Sequence, residues 1–137
     1  METRTVLIID DSSIDRLLIT EYLRTIKDCN YSFIEASSAE VGLQILDEII
    51  PDAILLDNMM EDVGMNGVDA VPFIKKTRNK FTPIIMITSN PLESIRKQAM
   101  EAGVAHFMDK LALVPQVLHE TITKYMQLNT ELRAMTA

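Results

Sequence analysis

The sequence predicts an α/β domain in which helices cover both faces of an open, doubly wound parallel sheet. Five short apolar runs, rich in β-branched and aromatic residues, alternate with longer stretches of helical spacing. Such alternation requires parallel strands joined by right-handed crossovers. The 137 residues, 47% of them hydrophobic, suffice for one compact domain with a single core.

Five segments have the length and composition of β-strands. They are Thr5–Asp10, Tyr31–Ala36, Asp52–Asp57, Pro83–Ser89 and Val104–Asp109. The third opens the stretch PDAILLDNMMEDVGMNG, and its consecutive apolar residues are typical of a strand that is buried on both faces. Because this run stops at Asp57, we expect a carboxylate at the mouth of the sheet.

The first two helices are indicated by apolar residues at helical spacing behind serine caps. The expected N-cap of the first helix is Ser12 or Ser13. Its apolar stripe comprises Ile14, Leu17, Leu18, Tyr22 and Ile26. Ser37 and Glu40 form a predicted capping box at the start of the second helix. The stripe of that helix comprises Val41, Ile45, Leu46 and Ile49.

The third and fourth helices are marked by proline and glycine. We expect the third to begin near Asp69, because Pro72 then lies in the first turn, where no backbone donor is lost. The fourth is signalled by Asn90 as N-cap and Pro91 at the first helical position. Gly103 is its expected C-terminal stop.

The last helix is expected to start near Pro115 and to be long. Its end carries a short coiled-coil-like seam with spacings of 3, 4 and 3, formed by Tyr125, Leu128, Leu132 and Met135. One interpretation is a frayed tail with chance apolar residues. The other is a seam that pairs two copies or carries a signal to an output domain. We therefore divide the chain into a domain at 1–127 and an extension of the last helix at 128–137.

Composition and charge exclude several classes of protein. The formal net charge of −7 argues against a direct nucleic-acid binder, which needs a basic face. Cys29 is the one cysteine of the chain and suits a reducing compartment. Neither a signal peptide nor an apolar stretch of about 20 residues is found, so we expect a cytoplasmic protein without membrane contact.

Charged and hydroxyl side chains stand at the ends of four predicted strands. Asp10 and Asp11 end the first, Asp57 the third and Thr88 the fourth, and Lys110 follows the fifth. Since ligands bind beyond the carboxyl ends of such strands, we expect these groups to converge. Two carboxylates about 4 Å apart repel by about 4 kcal/mol at an effective dielectric near 20. Cations must therefore lie among them, and Lys110 together with Mg²⁺ fits an all-oxygen ligand set.

A phosphoryl group on Asp57 would give every one of these residues a task. Asp57 would be an aspartyl-phosphate nucleophile, a metal held by Asp10 and Asp11 would neutralise the phosphoryl oxygens, and Lys110 and Thr88 would contact them. Taken singly, each residue also has an ordinary structural explanation: a helix cap, a turn residue, a core hydroxyl or a surface lysine. Their joint placement at four ends of one sheet favours a site.

Four segments carry a resemblance to a known family. The stretches LIIDDS, ILLDNMM…NG, IIMITSN and HFMDK resemble the motifs of response regulator receiver domains of two-component signalling, in their single-domain, chemotaxis-type form. The resemblance covers about residues 4–127. It implies a flavodoxin-like sheet in the order 2-1-3-4-5. It also implies phosphoryl transfer to Asp57 from a histidine kinase or histidine phosphotransfer protein, and a downstream protein effector.

The same resemblance implies roles for individual residues. Mg²⁺ is expected on Asp10, Asp11, Asp57 and the backbone carbonyl of Met59. Thr88 and Phe107 are expected to form a switch pair, in which the hydroxyl turns to the phosphate and the ring rotates inward. Taken as packing alone, Phe107 is one more core aromatic residue. Asn90 and Met59 occupy positions that border the path of the water that attacks the phosphoryl group, so spontaneous dephosphorylation is expected.

The sequence departs from the family pattern in two loops. Receivers usually follow the lysine with a cis proline, whereas this chain has Leu111, for which a cis bond costs about 2.5–4 kcal/mol. We therefore expect a different shape or greater movement of the last loop. The loop after Asp57 looks about two residues longer than usual and carries Glu61 and Asp62. These two acids either tune metal affinity or kinase choice, or are solvated loop charges.

Three other functions are compatible with parts of the sequence. A pseudo-receiver that docks partners without phosphate is the main alternative, and the complete set of acids, Thr88 and Lys110 argues against it. A phosphatase of the haloacid dehalogenase kind needs Asp-x-Asp, whereas Asp10 and Asp11 are adjacent. A flavodoxin-type FMN site would have to place a phosphate beside these two carboxylates. The favoured hypothesis is a phosphate-accepting switch that turns over no outside substrate.

Overall fold

The computed structural model describes residues 1–60 and 64–136, and these contain five strands and five α-helices in alternation. The strands are Glu2–Ile9 (β1), Cys29–Ala36 (β2), Ala53–Leu56 (β3), Ile84–Thr88 (β4) and His106–Asp109 (β5). The helices are Ser13–Arg24 (α1), Ala39–Leu46 (α2), Gly67–Lys75 (α3), Glu93–Ala102 (α4) and Pro115–Thr136 (α5). A 3₁₀ turn at Lys110–Ala112 follows β5.

The strands form one parallel sheet in the order β2-β1-β3-β4-β5. The predicted doubly wound sheet and its strand order are therefore confirmed. All five predicted strands are present, although β1 and β2 begin earlier than expected, at Glu2 and Cys29. This order brings the carboxyl ends of β1, β3, β4 and β5 to one edge of the sheet.

The core consists of two layers, one on each face of the sheet. Leu7 and Ile9 of β1 belong to the layer beneath α2, α3 and α4, whereas Val6 and Ile8 belong to the layer beneath α1 and α5. Every residue of β3 is buried, as predicted for a strand covered on both faces. Asp57 is the first residue after this buried strand.

The predicted apolar stripe of α1 is only partly correct: Tyr22 and Ile26 pack against the core, whereas Ile14, Leu17 and Leu18 do not. Ile14 and Leu17 are 76% and 57% exposed, and the buried residues of the helix are Ile19, Thr20 and Leu23. Ser12 is the N-cap, as one of the two predicted serines. The stretch RLLITEYLRTI is apolar on more than one side, so the spacing of its apolar residues does not determine which side faces the sheet.

Two of the expected helix starts are wrong by a short distance. Ser38 rather than Ser37 caps α2, so Val41 and not Glu40 stands three residues after the cap and no Ser37–Glu40 capping box forms. The Glu40 carboxylate instead accepts a hydrogen bond from the Met65 amide at 3.3 Å. The third helix begins at Gly67 rather than near Asp69. Its N-cap is Asn66, whose side chain accepts from the Asp69 amide. Pro72 therefore lies beyond the first turn.

The start of α4 also differs from expectation, whereas its end is confirmed. Leu92 occupies the N-cap position and makes no side-chain cap hydrogen bond. Asn90 lies two residues earlier, where its carbonyl accepts from the Leu92 amide at 2.9 Å in a tight turn. Gly103 ends the helix in the left-handed conformation, with φ of 114°, which favours glycine.

The last helix begins at Pro115, as predicted, and continues to Thr136. Of its seam, Tyr125 is half-buried and stacks on His106 with ring centroids 5.4 Å apart. Leu128, Leu132 and Met135 are exposed. In the described part of the chain every peptide bond is trans, including that between Lys110 and Leu111. None of the described helices is both long enough and apolar enough to span a bilayer.

Candidate functional site

Three carboxylates lie together at the carboxyl ends of β1 and β3. Asp10 and Asp11 follow β1, Asp57 follows β3, and one carboxylate oxygen of each lies within 4.8 Å of the other two. Asp10 and Asp57 are buried, and Asp11 is half-buried. The convergence predicted from the sequence is therefore observed. The groups open into a cavity of about 520 Å³, whose lining includes Asp11, Asp15, Asp57, Met59, Asn90 and Lys110.

The ammonium group of Lys110 lies among these acids. Its Nζ atom is 2.8 Å from Asp10 Oδ2, 2.9 Å from Asp15 Oδ2 and 3.8 Å from Asp57 Oδ2. The first two contacts are hydrogen bonds, and the third is an ion pair without one. Burial lowers the pKa of Lys110, but the hydrogen bonds to Asp10 and Asp15 outweigh it and raise the pKa overall. The site therefore holds a charged ammonium at neutral pH.

The turn between β1 and α1 fixes Asp10. Its Oδ1 atom accepts a hydrogen bond from the Ser12 amide at 2.9 Å, and its backbone carbonyl accepts one from Arg16 Nη1 at 2.6 Å. Arg16 also pairs with Glu35 of β2 at 3.0 Å. Ser12 caps α1 by accepting from the Asp15 amide at 3.2 Å. The orientation of the first carboxylate is thus set by backbone and side-chain contacts together.

The backbone around Asp57 is held from two sides. The Asp57 amide donates to the Ile9 carbonyl at 2.9 Å, and the Asn58 carbonyl accepts from the Gly67 amide at 3.0 Å. Asn58 Oδ1 accepts from the Val68 amide at 3.0 Å. A Cβ atom at Gly67 would lie 2.3 Å from the Asp57 carbonyl oxygen, so only glycine permits this approach of α3.

The Asp57 carboxylate is under electrostatic stress. The residue is 6% exposed, and Oδ1 has no hydrogen-bond partner among the described groups. Burial raises the pKa of Asp57 to about 7, the charge of Asp10 adds to the rise, and the Lys110 ammonium opposes it. Burial likewise raises the pKa of Asp10. A buried carboxylate oxygen without a partner is costly, so a further cation would stabilise this group.

These residues fit a hard divalent cation. Three carboxylate oxygens face one another, and the unpartnered Asp57 Oδ1 supplies a free lone pair at the edge of a cavity. Magnesium takes oxygen ligands and commonly uses one or two carboxylates together with water, for which the cavity has room. The donor set is therefore compatible with the magnesium site that the sequence predicts.

The predicted switch residues lie on one face of the sheet. Thr88 is fully buried, and its hydroxyl oxygen accepts a hydrogen bond from the Asn90 amide at 3.2 Å. Phe107 is half-buried, pairs with Met86 in the register of β4 and β5, and packs on the layer beneath α3 and α4. Because Thr88 is two residues beyond Met86, both side chains point to that layer.

The two residues expected to border the path of water stand at the cavity. Met59 is 51% exposed, Asn90 is also exposed, and both line the cavity beside Asp57. Glu61 and Asp62, which the sequence places near the mouth, lie outside the described residues.

Asp15 is a residue of the site that the sequence did not predict. It lies in the first turn of α1, lines the cavity and bonds Lys110. Its only signal in the sequence is a carboxylate one helical turn after Asp11, which a helix start favours for its own electrostatic reasons. Identifying the contact requires the position of the lysine, which follows a different strand.

The fold and the site define a flavodoxin-like α/β domain with an acidic, lysine-containing cavity at the carboxyl edge of its sheet. The chain belongs to the response regulator receiver domains of two-component signalling, whose family model matches residues 6–123. The predicted family is therefore confirmed. Receiver domains of this family bind Mg²⁺ in their acidic site and interact with histidine kinases and downstream effectors.

Several known proteins are similar to the chain. The sensor histidine kinase CheAY of Helicobacter pylori is 35% identical over 111 residues, which are 77% of this chain but only 13% of that protein. A CheY-like receiver domain protein from Methanospirillum hungatei superimposes with a TM-score of 0.82 at 20% identity, covering 95% of this chain and 98% of the other. The receiver domain of a sensor histidine kinase from Pseudomonas aeruginosa, solved with a magnesium ion coordinated in its active-site cleft, gives 0.78 at 21% identity, covering 91% and 98%.

Proposed function

We propose that this receiver domain accepts a phosphoryl group on Asp57 in a Mg²⁺-dependent reaction and thereby switches a protein-interaction surface. The donor is a histidine kinase or a histidine phosphotransfer protein. The observation that carries the proposal is the buried oxygen of Asp57 that has no hydrogen-bond partner among the described residues. It faces two further carboxylates and lies beside the Lys110 ammonium, which lines the same cavity. A cation or a phosphoryl group would supply the partner that this oxygen lacks among the described residues.

The proposed transfer is a single displacement at phosphorus. A carboxylate oxygen of Asp57 forms the new P–O bond, the P–N bond of the phosphohistidine breaks, and its electron pair stays on the imidazole nitrogen. Bound Mg²⁺, held by Asp10, Asp11, Asp57 and the Met59 carbonyl, would neutralise charge on the phosphoryl oxygens. Lys110 moves toward one of these oxygens from its present distance of 3.8 Å to Asp57.

The proposed switch begins at Thr88. In the unphosphorylated structure the Thr88 hydroxyl oxygen accepts a hydrogen bond from the Asn90 amide. Among the described residues, this hydroxyl makes no hydrogen bond to Asp57. A phosphoryl oxygen is a strong acceptor, and the Thr88 hydroxyl would donate to it after leaving its present orientation. Phe107 lies on the same face and would move into the space that Thr88 vacates.

The proposed lifetime of the phosphoryl group is finite. Met59 and Asn90 line the cavity beside Asp57, and through this cavity water would reach the phosphoryl group. We propose slow hydrolysis by such a water, with no turnover of an outside substrate. In this sense the domain is a switch that undergoes its own phosphorylation and dephosphorylation rather than an enzyme. A buried, unpaired Cys29 is consistent with a reducing cytoplasm as its location.

We further propose that the extension at 128–137 mediates pairing of two copies or contact with an output domain. Leu128 and Leu132 are 41% and 50% exposed on successive turns of α5. Exposed leucines at this spacing are typical of a helix that packs against a partner helix. Residues 1–127 then form the receiver itself.

The proposal is tested by mass spectrometry after incubation with acetyl phosphate and Mg²⁺. The wild-type protein should gain one phosphoryl group, and Asp57→Ala should gain none. A phosphoryl group that persists on Asp57→Ala would move the acceptor to another residue. A beryllofluoride complex provides a second measurement, because it should shift the amide resonances of Thr88 and Phe107. Unchanged spectra with Mg²⁺ and beryllofluoride would favour a pseudo-receiver that docks partners without phosphate.

A further inference from the structure

Asp15 contributes a fourth carboxylate that the metal site does not explain. Its Oδ2 atom accepts a hydrogen bond from Lys110 Nζ at 2.9 Å, and its side chain is 34% exposed at the cavity. It is not among the three acids whose oxygens face one another. Its hydrogen-bonded link to these acids runs through the lysine.

Lys110 and a divalent ion would compete for the same carboxylate. Both oxygens of Asp10 already accept hydrogen bonds, Oδ1 from the Ser12 amide at 2.9 Å and Oδ2 from Lys110 at 2.8 Å. An ammonium and a metal ion on one carboxylate repel each other. A metal that binds Asp10 therefore weakens or displaces the bond from Lys110, and the displaced ammonium, which is only 7% exposed, needs another acceptor.

We propose that Asp15 is a positioning residue that holds Lys110 at the cavity when Asp10 turns to the divalent ion. This inference rests on the proposed Mg²⁺-dependent function of the site. With Asp15 present, the Lys110 ammonium keeps a carboxylate partner at hydrogen-bond distance while Asp10 binds the metal. Without Asp15, Lys110 remains on Asp10 and opposes metal binding.

The geometry favours this role over that of a helix-cap charge. The backbone amide of Asp15 already bonds the Ser12 cap at 3.2 Å, which serves the start of α1 without any contribution from the carboxylate. A carboxylate that acted only on the helix dipole would need no partner. Here it reaches a lysine 95 positions further along the chain and meets it at hydrogen-bond distance.

The first test is the affinity for Mg²⁺, measured by calorimetry on the unphosphorylated protein. Without Asp15 the ammonium would stay on Asp10 and repel the ion, so Asp15→Asn should raise the Kd about tenfold, the lower end of the loss seen when contacts around a metal ligand are disturbed. Glu21→Gln is the matched control, because it removes the same charge from an exposed position of the same helix, where Glu21 forms an exposed ion pair with Arg24. Its Kd should change by no more than about twofold, because exposed charges are screened. Equal Kd values for the two variants would overturn the inference.

The second test asks whether Asp15 acts through Lys110. In a Lys110→Met background the competing ammonium is absent, so Asp15→Asn should lose most of its effect on the Kd in a double-mutant cycle. An undiminished effect in that background would assign the role of Asp15 to its charge alone and refute the inference. Asp15→Ser, which retains a small polar group in the first turn, should reproduce the loss and guards against misfolding of a single variant.

The outcomes separate this inference from the proposed function. A wild-type protein that binds no Mg²⁺ and gains no phosphoryl group would refute the proposed function, and the inference with it. A wild-type protein that binds Mg²⁺ and is phosphorylated, with an Asp15→Asn variant that behaves like Glu21→Gln, would refute the inference alone.

Discussion

Replacement of Asp57 by asparagine is expected to stabilise the metal-free protein near pH 8. Burial and the charge of Asp10 raise the pKa of Asp57 from 3.8 to about 7. Between these values the native state holds a proton on Asp57 that the unfolded chain has lost. The free energy of unfolding therefore falls as the pH rises from about 4 to about 7 and stays low above it. An uncharged asparagine removes this penalty.

The size of the effect follows from the two pKa values. The difference between about 7 and 3.8, at 1.36 kcal/mol per pH unit, corresponds to about 4 kcal/mol. Relaxation of the neighbouring charges reduces this figure, so we expect Asp57→Asn to gain about 2–4 kcal/mol at pH 8 and almost nothing at pH 4. Mg²⁺ should reduce this difference in stability between the variant and the wild type, because it binds the native wild-type site and stabilises it by mass action.

Urea denaturation followed by circular dichroism, in EDTA and at several pH values, measures this difference. Asp47→Asn is the control, because Asp47 is exposed and the substitution removes the same charge. Its stability should follow that of the wild type across the pH range. If Asp57→Asn is no more stable than the wild type at pH 8 in EDTA, the carboxylate does not carry the electrostatic cost that its burial implies. The metal-free site would then need no cation to offset a buried charge.

Three further predictions concern other parts of the structure. Gly67→Ala would place a Cβ atom 2.3 Å from the Asp57 carbonyl oxygen. The free energy of unfolding in urea should therefore fall by about 1–3 kcal/mol, and phosphorylation by acetyl phosphate should be reduced. Wild-type values for both would contradict this contact. Tyr31→Phe removes a hydroxyl that accepts a hydrogen bond from the buried Arg4 guanidinium at 3.1 Å. The free energy of unfolding should fall by about 1–3 kcal/mol in the same assay. An unchanged value would mean that water replaces the hydroxyl. Changing Leu128 and Leu132 together to glutamine should abolish concentration-dependent self-association in sedimentation velocity; identical behaviour of the two proteins would remove the seam as a pairing surface.

The sheet and the site residues were predictable because they depend on local and strongly constrained patterns. Consecutive apolar residues such as those of β3 have few alternatives to a doubly buried strand. Five such strands in alternation with helices run parallel, so their carboxyl ends lie at one edge of the sheet. The order 2-1-3-4-5, which the family resemblance implied, makes β1, β3, β4 and β5 neighbours at that edge. Asp10, Asp57 and Lys110 then converge without any knowledge of their side-chain conformations.

The errors lie where two local signals compete. Ile14 and Leu17 predict one face of α1 and Ile19 and Leu23 another, and only packing against the sheet decides between them. At α3 the cap formed by Asn66 prevails over the preference of proline for the first turn. The spacing of apolar residues settles neither choice, because the first depends on packing against the sheet and the second on a local cap hydrogen bond from the Asp69 amide to Asn66.

The burial that raises the pKa of Asp57 also makes the proposed reactivity of the site depend on its cation. At neutral pH a metal-free carboxylate with a pKa of about 7 is partly protonated, and a protonated carboxyl group is a poor nucleophile. A divalent ion beside it favours the charged form, so one binding event would both prepare the nucleophile and neutralise the incoming phosphoryl oxygens. The ammonium of Lys110 does not do this alone, because its two hydrogen bonds go to Asp10 and Asp15 and leave Asp57 at 3.8 Å. On the proposed function, reactivity should therefore follow metal occupancy more closely than it follows the presence of the lysine.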